Sequence, residues 1–372
     1  MPNDVAAVAP DLGLHRVLRD DGSVDPATDP HMPLELVLRA YREIKRLRVL
    51  DARMILIQRQ GRIGFYGACT GQEATPIAAA LALAPTDWVF QALRESSMML
   101  VRGFPLTKYI AQIYGNDLDI LKGRQMPSHM SGRQVNQVSW SSCIGPQIPQ
   151  AVGAAWAAKL QGHKTVVMGF LGDGATSQPD FQAGMNFAAV FHTPCVIVCQ
   201  NNHWAISVPS ARQSASETFA IKGRAFGIPS IRVDGNDVLA VYGVLKNAID
   251  NARRGEGPTF VECVTYRIGA HSTSDDPTRY RSQEEVDMWT KRDPLLRLRR
   301  HLEKLGAWSD AEEEKLEKVL NEEIGAAIAE VETHGLPERE TLFDDVYARP
   351  PWHLEEQRAA LLAGARAPAH GS

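Results

Sequence analysis

Nowhere in these 372 residues does an apolar run approach the roughly 20 positions a bilayer-spanning helix requires, so no membrane-spanning helix is expected. Neither sign of charge prevails. With 40 Lys and Arg against 44 Asp and Glu, the net charge is −4 and the pI near 6.3, which removes the basic footprint of a nucleic-acid binder. Cysteine is sparse: Cys69, Cys143, Cys195, Cys199 and Cys263 are an odd number without the paired spacing of a disulfide framework, and three of them fall in apolar runs that suit strands. A reducing compartment is expected. The opening MPNDVAAVAPDLG has the layout of neither a secretory signal nor an arginine-rich transit peptide, so a soluble, cytoplasmic protein is expected. No internal repeat is visible. What is present is 44% hydrophobic residues, enough core for one large domain or two small ones.

The stretch from Thr165 to Ser207 organises the rest. An apolar run ends at Leu171, Gly172-Asp173-Gly174 follows, a helix is predicted from about Gln178 to Phe191, and a second apolar run covers Cys195 to Cys199 before Asn201-Asn202. This is a βαβ unit of buried parallel strands, and a right-handed crossover sets Asp173 and Asn202 at neighbouring carboxyl ends. Magnesium takes oxygen ligands and is usually held by one or two carboxylates plus phosphates. Asp173 and Asn202 supply a carboxylate and an amide oxygen where ligands of open α/β sheets bind, with a backbone carbonyl near Trp204 as a possible third. Gly174 and Ala175 at the helix start leave N–H groups free for a diphosphate.

Two plainer readings compete. A glycine turn into a core helix explains Gly-Asp-Gly by itself, but not its pairing with Asn-Asn one strand later. A dinucleotide fold also places Gly-x-Gly between strand and helix; here the third small position is Ser177, and Asn201-Asn202 stands where an acidic ribose anchor belongs.

Gly-Asp-Gly followed by Asn-Asn resembles the signature of thiamine-diphosphate (ThDP) enzymes, and from roughly Leu14 to Tyr347 the chain is similar to the α subunit of the decarboxylating E1 component of 2-oxo acid dehydrogenase complexes. RQGRIGFY (Arg59 to Tyr66), KGRQMPSH (Lys122 to His129) and TYRIGAHSTSDDPTRYRS (Thr265 to Ser282) resemble the branched-chain type more than the pyruvate type. The resemblance implies a ThDP-binding α/β fold with a doubly wound, mostly parallel sheet: an extended arm over 1–32, the ThDP-binding domain over 33–300, and a helical region with a partner-contacting tail over 301–372. It also implies Mg2+, held by Asp173, Asn202 and the Trp204 carbonyl, and cofactor contacts from Arg94, Ser142, Ile144, Gly172, Gly174, Ala175, Arg267 and His271.

Along the chain, spacings of three and four predict a helix from Pro33 to about Gln60, ending at Gly61, and a second helix starting near Glu73. The resemblance places Phe65 and Tyr66 on the substrate side between them. Asp87 to Phe90 reads as a short strand, Lys122 to Ser142 as a loop, and Gln147 to Leu160 as a helix. Family members commonly carry Tyr-Arg where this chain has Leu93-Arg94, and branched-chain relatives often carry arginine where it has Gln200. Those departures remove a hydroxyl and a charge from the diphosphate and keep open an altered, non-catalytic paralogue, beside the alternative of an E1 α subunit acting on pyruvate or acetoin. K+ binds beside Ser142 in the resembled enzymes; Pro146 here replaces a hydroxyl residue, which argues against it. The serines themselves also suit an ordinary N-cap. A strand from Ser230 to Val233, a helix from Val238 to Arg254 and a strand from Phe260 to Tyr266 continue the pattern.

His271, alone in a polar loop, has the makings of a surface residue; the resemblance makes it the histidine beside the diphosphate and the reactive ring, with Arg267 ordering its loop. Phosphate on Ser272 would put negative charge beside an anionic cofactor. Ser309-Asp310-Ala311-Glu312 is a capping box for a long helix. Implied partners are an E1 β subunit in an α2β2 assembly, a lipoylated E2 acyltransferase core, and a 2-oxo acid substrate. The β subunit supplies the carboxylate that activates the cofactor.

Overall fold

The structure is a computed structural model describing residues 13–364. In chain order its strands are β1 (Trp88–Phe90), β2 (Gln137–Val138), β3 (Val167–Gly172), β4 (Cys195–Asn201), β5 (Trp204–Ala205), β6 (Val208–Pro209), β7 (Ser230–Asp234) and β8 (Thr259–Val264). Six form one sheet in the order β2-β1-β3-β4-β8-β7, with every pairing parallel; β5 and β6 make a separate antiparallel hairpin.

A parallel strand buried on both faces reads as a continuous apolar run, and its successive side chains must enter opposite cores. Met168, Phe170, Val196 and Val198 point into a core with Tyr41, Ile44, Ala78 and Leu245, from helices at Leu34–Arg59, Ala74–Ala82 and Val238–Arg254. Val167, Leu171, Cys195, Ile197 and Cys199 enter the other, against Ile148, Phe181 and Met185 of the helices Gln147–Leu160 and Pro179–Phe191. A third core joins Leu50, Met54 and Ile57 to Tyr109, Ile324, Ile328 and Val331.

That third core ties the C-terminal helix Asp310–Glu332 to the first helix, and helix Pro294–Lys304 runs straight through the boundary expected at residue 300. The C-terminal region therefore shares its core with the α/β body. Residues 13–32 lie against the same body. His15 pairs with Val233 of β7, Val17 and Leu18 are buried, and Asp237 Oδ2 accepts both their backbone N–H groups at 2.7 and 2.6 Å. Arg297, almost fully buried, joins Asp234 and Asp20 at 2.8 Å each, and Arg16 reaches Asp234 at 2.9 Å. The first dozen residues of the expected arm lie outside the described residues.

Helix ends follow their local chemistry. Asp237 caps Val238–Arg254 by accepting from Ala240 N–H, and Gly255 closes it at φ 89°, a backbone setting that glycine adopts without strain. Pro179 opens its helix at the first position, where no N–H is needed. The strand expected to reach Tyr266 ends at Val264, and the expected loop from 122 to 142 contains the two residues of β2.

Candidate active site

Register brings the key pair together. β3 and β4 run side by side with Gly172 opposite Gln200, so Asp173 and Asn202 leave neighbouring strand ends. A cleft of about 580 Å³ opens over these ends. Of the expected residues, Phe65, Arg94, Ser142, Ile144, Gly172, Asp173, Gly174, Ala175, Asn202, Trp204 and His271 line it.

Asp173 is almost wholly buried, and its Oδ2 accepts from Ser210 Oγ at 3.2 Å. Burial pushes its pKa up to about 6; hydrogen bonds and the nearby Arg267 charge only partly oppose this. A buried carboxylate whose hydrogen bonds offset only part of the cost of burial suits a cation. Asn202 Oδ1 accepts from Trp204 N–H at 3.1 Å, and its Nδ2 donates to Gln72 Oε1 at 3.1 Å. Gln200 Nε2 donates to the carbonyl and to the side-chain oxygen of the same Gln72, both at 3.1 Å. Among the described residues, no group of three or more His, Cys, Asp and Glu side chains could hold a metal unaided. An ion on Asp173 and Asn202 would complete its shell with phosphate or water, which is the usual habit of magnesium. Beside them, a side chain on Gly174 would meet Ala205 Cβ at 2.7 Å, so only glycine fits between the turn and the β5–β6 hairpin. A carboxylate, an amide oxygen and that bare backbone turn fit a Mg2+-diphosphate.

Arg94 also lines the cleft. It is 4% exposed; Nη1 donates to the Ala68 carbonyl and Nη2 to the His271 carbonyl at 2.7 Å, so it braces two loops while lining the cleft. The His271 N–H donates to Asp275 Oδ2 at 2.7 Å. Burial, then the positive charges of Arg94 and Arg267, push the His271 pKa down to about 4, so its ring is neutral at physiological pH. Ser272 is buried, and its Oγ accepts from Ser274 N–H at 3.3 Å.

Two expectations are corrected. Tyr66 does not face the cleft: it is 3% exposed and donates its hydroxyl to buried Asp51 at 2.7 Å. Neighbouring side chains of an irregular segment point different ways, so Phe65 lines the cleft while Tyr66 enters the core. Arg267 does not line the cleft either. It is 1% exposed and spends its guanidinium on the Trp204 carbonyl (3.3 Å), the Ile206 carbonyl (2.7 Å) and Tyr280 Oη (2.9 Å), fixing the hairpin over the cleft. The Trp204 carbonyl, expected as a metal ligand, therefore already accepts one hydrogen bond.

Trp140 and Gln72 line the cleft and escaped the sequence, while His129 closes the KGRQMPSH segment that carries part of the resemblance. His129 is hydrogen-bonded to Ser142 and lies 3.9 Å, ring to ring, from Trp140, with Phe65 behind it at 6.4 Å. Gln72 reads in sequence as one more polar residue before a helix; only the fold reveals that it is 1% exposed and touches both Gln200 and Asn202.

A parallel sheet with this constellation at its carboxyl ends defines a class, and sequence comparison gives the same class: residues 41–340 match the family model described as the dehydrogenase E1 component, and the chain belongs to that family. It is similar to the bovine mitochondrial 2-oxoisovalerate dehydrogenase subunit alpha, 42% identical over 97% of this chain and 79% of the relative. An Arabidopsis thaliana mitochondrial subunit alpha 2 is 42% identical over 92% and 73%. The Pseudomonas aeruginosa 2-oxoisovalerate dehydrogenase subunit alpha is 40% identical over 94% and 87%.

Proposed function

We propose that this chain is the α subunit of a ThDP-dependent E1 oxidoreductase that decarboxylates branched-chain 2-oxo acids, 2-oxoisovalerate (3-methyl-2-oxobutanoate) among them, and passes the acyl group to the lipoyl arm of an E2 acyltransferase. One observation carries the reading: a buried carboxylate and an amide oxygen, Asp173 and Asn202, stand on adjacent strand ends beside a glycine turn that faces a large cleft. When bound, ThDP supplies a carbanion and an electron sink for loss of carbon dioxide.

The residues do the holding and the screening. Asp173 and Asn202 would hold Mg2+, and the N–H groups of Gly174 and Ala175 would face the diphosphate. Arg94 adds a permanent cation to the cleft lining. His271, held neutral by its surroundings, can accept or donate a hydrogen bond beside the reacting group without bringing a charge. Phe65, Met126 and Trp140 keep the substrate end of the cleft apolar, which suits a branched aliphatic side chain and excludes water. Ser142 and His129 are the polar pair at that end. The activating carboxylate would come from an E1 β subunit in an α2β2 assembly.

The test is decarboxylation of 2-oxoisovalerate against pyruvate by the chain co-purified with its native partner, with Mg2+-ThDP and an artificial electron acceptor, alongside Asp173→Ala. Preference for the branched acid, lost in the variant, is expected. A preference for pyruvate would overturn the substrate, and no turnover of either acid by an intact complex would overturn the chemistry.

A further inference from the structure

Three side-chain amides meet at the floor of the cleft, and their orientations are dictated by the backbone. Gln200 Nε2 lies 3.1 Å from the Gln72 carbonyl, which can only accept, so the Gln200 NH2 group must point there. Trp204 N–H, which can only donate, lies 3.1 Å from Asn202 Oδ1, so the Asn202 NH2 group turns the other way, to Gln72. Gln72 Oε1 thus receives two N–H donors, from Gln200 and from Asn202, both at 3.1 Å. Its own NH2 group is left over. Gln72 Nε2 is buried with no partner among the described residues, although Gln72 is 1% exposed and lines the cleft. An unpaired buried N–H donor costs desolvation free energy unless a ligand meets it.

We infer that Gln72 is a two-sided cofactor residue: its Nε2 donates to an oxygen of the bound diphosphate, while its Oε1 holds Asn202 so that the amide oxygen, which accepts from Trp204 N–H, keeps a lone pair for the metal. This rests on the Mg2+-diphosphate reading of the cleft. The donor is neutral, which fits its place: the cleft lining already carries Arg94, and the His271 pKa is depressed by burial and then by the charges of Arg94 and Arg267, so a further cation on the floor would add repulsion. The residue also links the segment before helix Ala74–Ala82 to the end of β4, so the diphosphate, once bound, bridges both sides of the cleft floor.

The experiment is calorimetric titration of the native α–β complex with Mg2+ plus inorganic diphosphate, and separately with Mg2+ plus ThDP, for wild type, Gln72→Glu and Gln72→Met. Glutamate keeps the acceptor that holds Asn202 and loses the donor; methionine loses both without adding charge. A hydrogen bond to a charged group is among the stronger kinds, so each variant should bind both ligands at least about tenfold more weakly. The two losses should be parallel, because inorganic diphosphate shares only that part of the cofactor; general damage to the cleft would weaken ThDP far more. If Gln72→Glu does not assemble, Gln72→Met carries the comparison. Binding of inorganic diphosphate by Gln72→Met within threefold of wild type would overturn the inference. Failure of wild type to bind either ligand would instead remove the Mg2+-diphosphate reading beneath it.

Discussion

Replacing Gly174 by alanine adds a methyl group where none fits. Its Cβ would lie 2.7 Å from Ala205 Cβ and 3.7 Å from Ala205 Cα, whereas ordinary contact begins at 3.4 Å, so the β5–β6 hairpin must retreat by at least about 0.7 Å. Gly174 does not have a left-handed φ, so the effect is purely steric. Overpacking of this kind costs about 1–3 kcal/mol. The hairpin and its flanks bring Trp204, Ala205, Ile206 and Val208 to the cleft, so the displacement falls on the cofactor's own wall. If the cost is felt in the bound state, affinity for Mg2+-ThDP should fall roughly 5- to 150-fold. The companion Ala205→Gly removes the opposing methyl and should itself cost about 0.4–1 kcal/mol through unfolded-state entropy. The double variant should then recover most of the binding, with a coupling of about 1–3 kcal/mol. Calorimetry and thermal unfolding of all four members of the cycle, each in complex with the partner, measure it. An alanine at 174 that behaves as wild type, or a double variant whose losses simply add, would refute the steric explanation of this glycine.

Further outcomes follow from other contacts. Tyr66→Phe removes the phenol that donates to Oδ1 of buried Asp51, leaving Cys69 N–H and Thr70 Oγ1 on Oδ2, and should lower stability by about 1–3 kcal/mol in urea unfolding while leaving the KM for the oxo acid unchanged. Phe65→Ala should do the opposite, raising KM with little loss of stability; reversed results would return Tyr66 to the substrate side. The His271 pKa is about 4 in the fold against an ordinary 6.5, so its contribution to stability is complete above about pH 6.5 and lost as pH falls towards 4. The difference in pH-stability curves between wild type and His271→Gln, with an NMR titration of the ring, checks this; a ring that titrates near 6.5 contradicts it. Arg297→Met leaves Arg16 as the cation paired with Asp234, beside the Asn236 N–H donor, and should cost about 3–5 kcal/mol, while a loss below about 1 kcal/mol would mean that this buried ion pair is replaceable.

Much of the fold was legible because local and tertiary signals agree. Val167 to Leu171 and Cys195 to Cys199 are apolar at nearly every position, as strands buried on both faces must be. Helix Val238–Arg254 carries its own stops in Asp237 and Gly255. Asp173 and Asn202 could be paired from sequence because crossover handedness and register leave little freedom. Where the sequence misled, the deciding partner lay far along the chain. Tyr66 turns inward because Asp51, on the buried face of the first helix, needs a donor. Arg267 serves the carbonyls of residues 204 and 206, and no local pattern announces a guanidinium bonded to backbone. Gln72 acquires its role only when β4 arrives beside it, and β2, two residues long, is too short for any periodicity.

The parallel register also divides the cleft into parts that tolerate change differently. Asp173 and Asn202 are placed by six consecutive residue pairings between β3 and β4, from Val167 opposite Cys195 to Gly172 opposite Gln200. Phe65, Met126, His129 and Ser142 instead sit on segments outside the sheet's strands. Those segments behave as exchangeable cassettes on a fixed chassis: transplanting 61–70, 124–136 and 139–144 from a relative with another acid preference, with β2 kept, should retune which side chain is accepted while the turn at Gly174 stays in place.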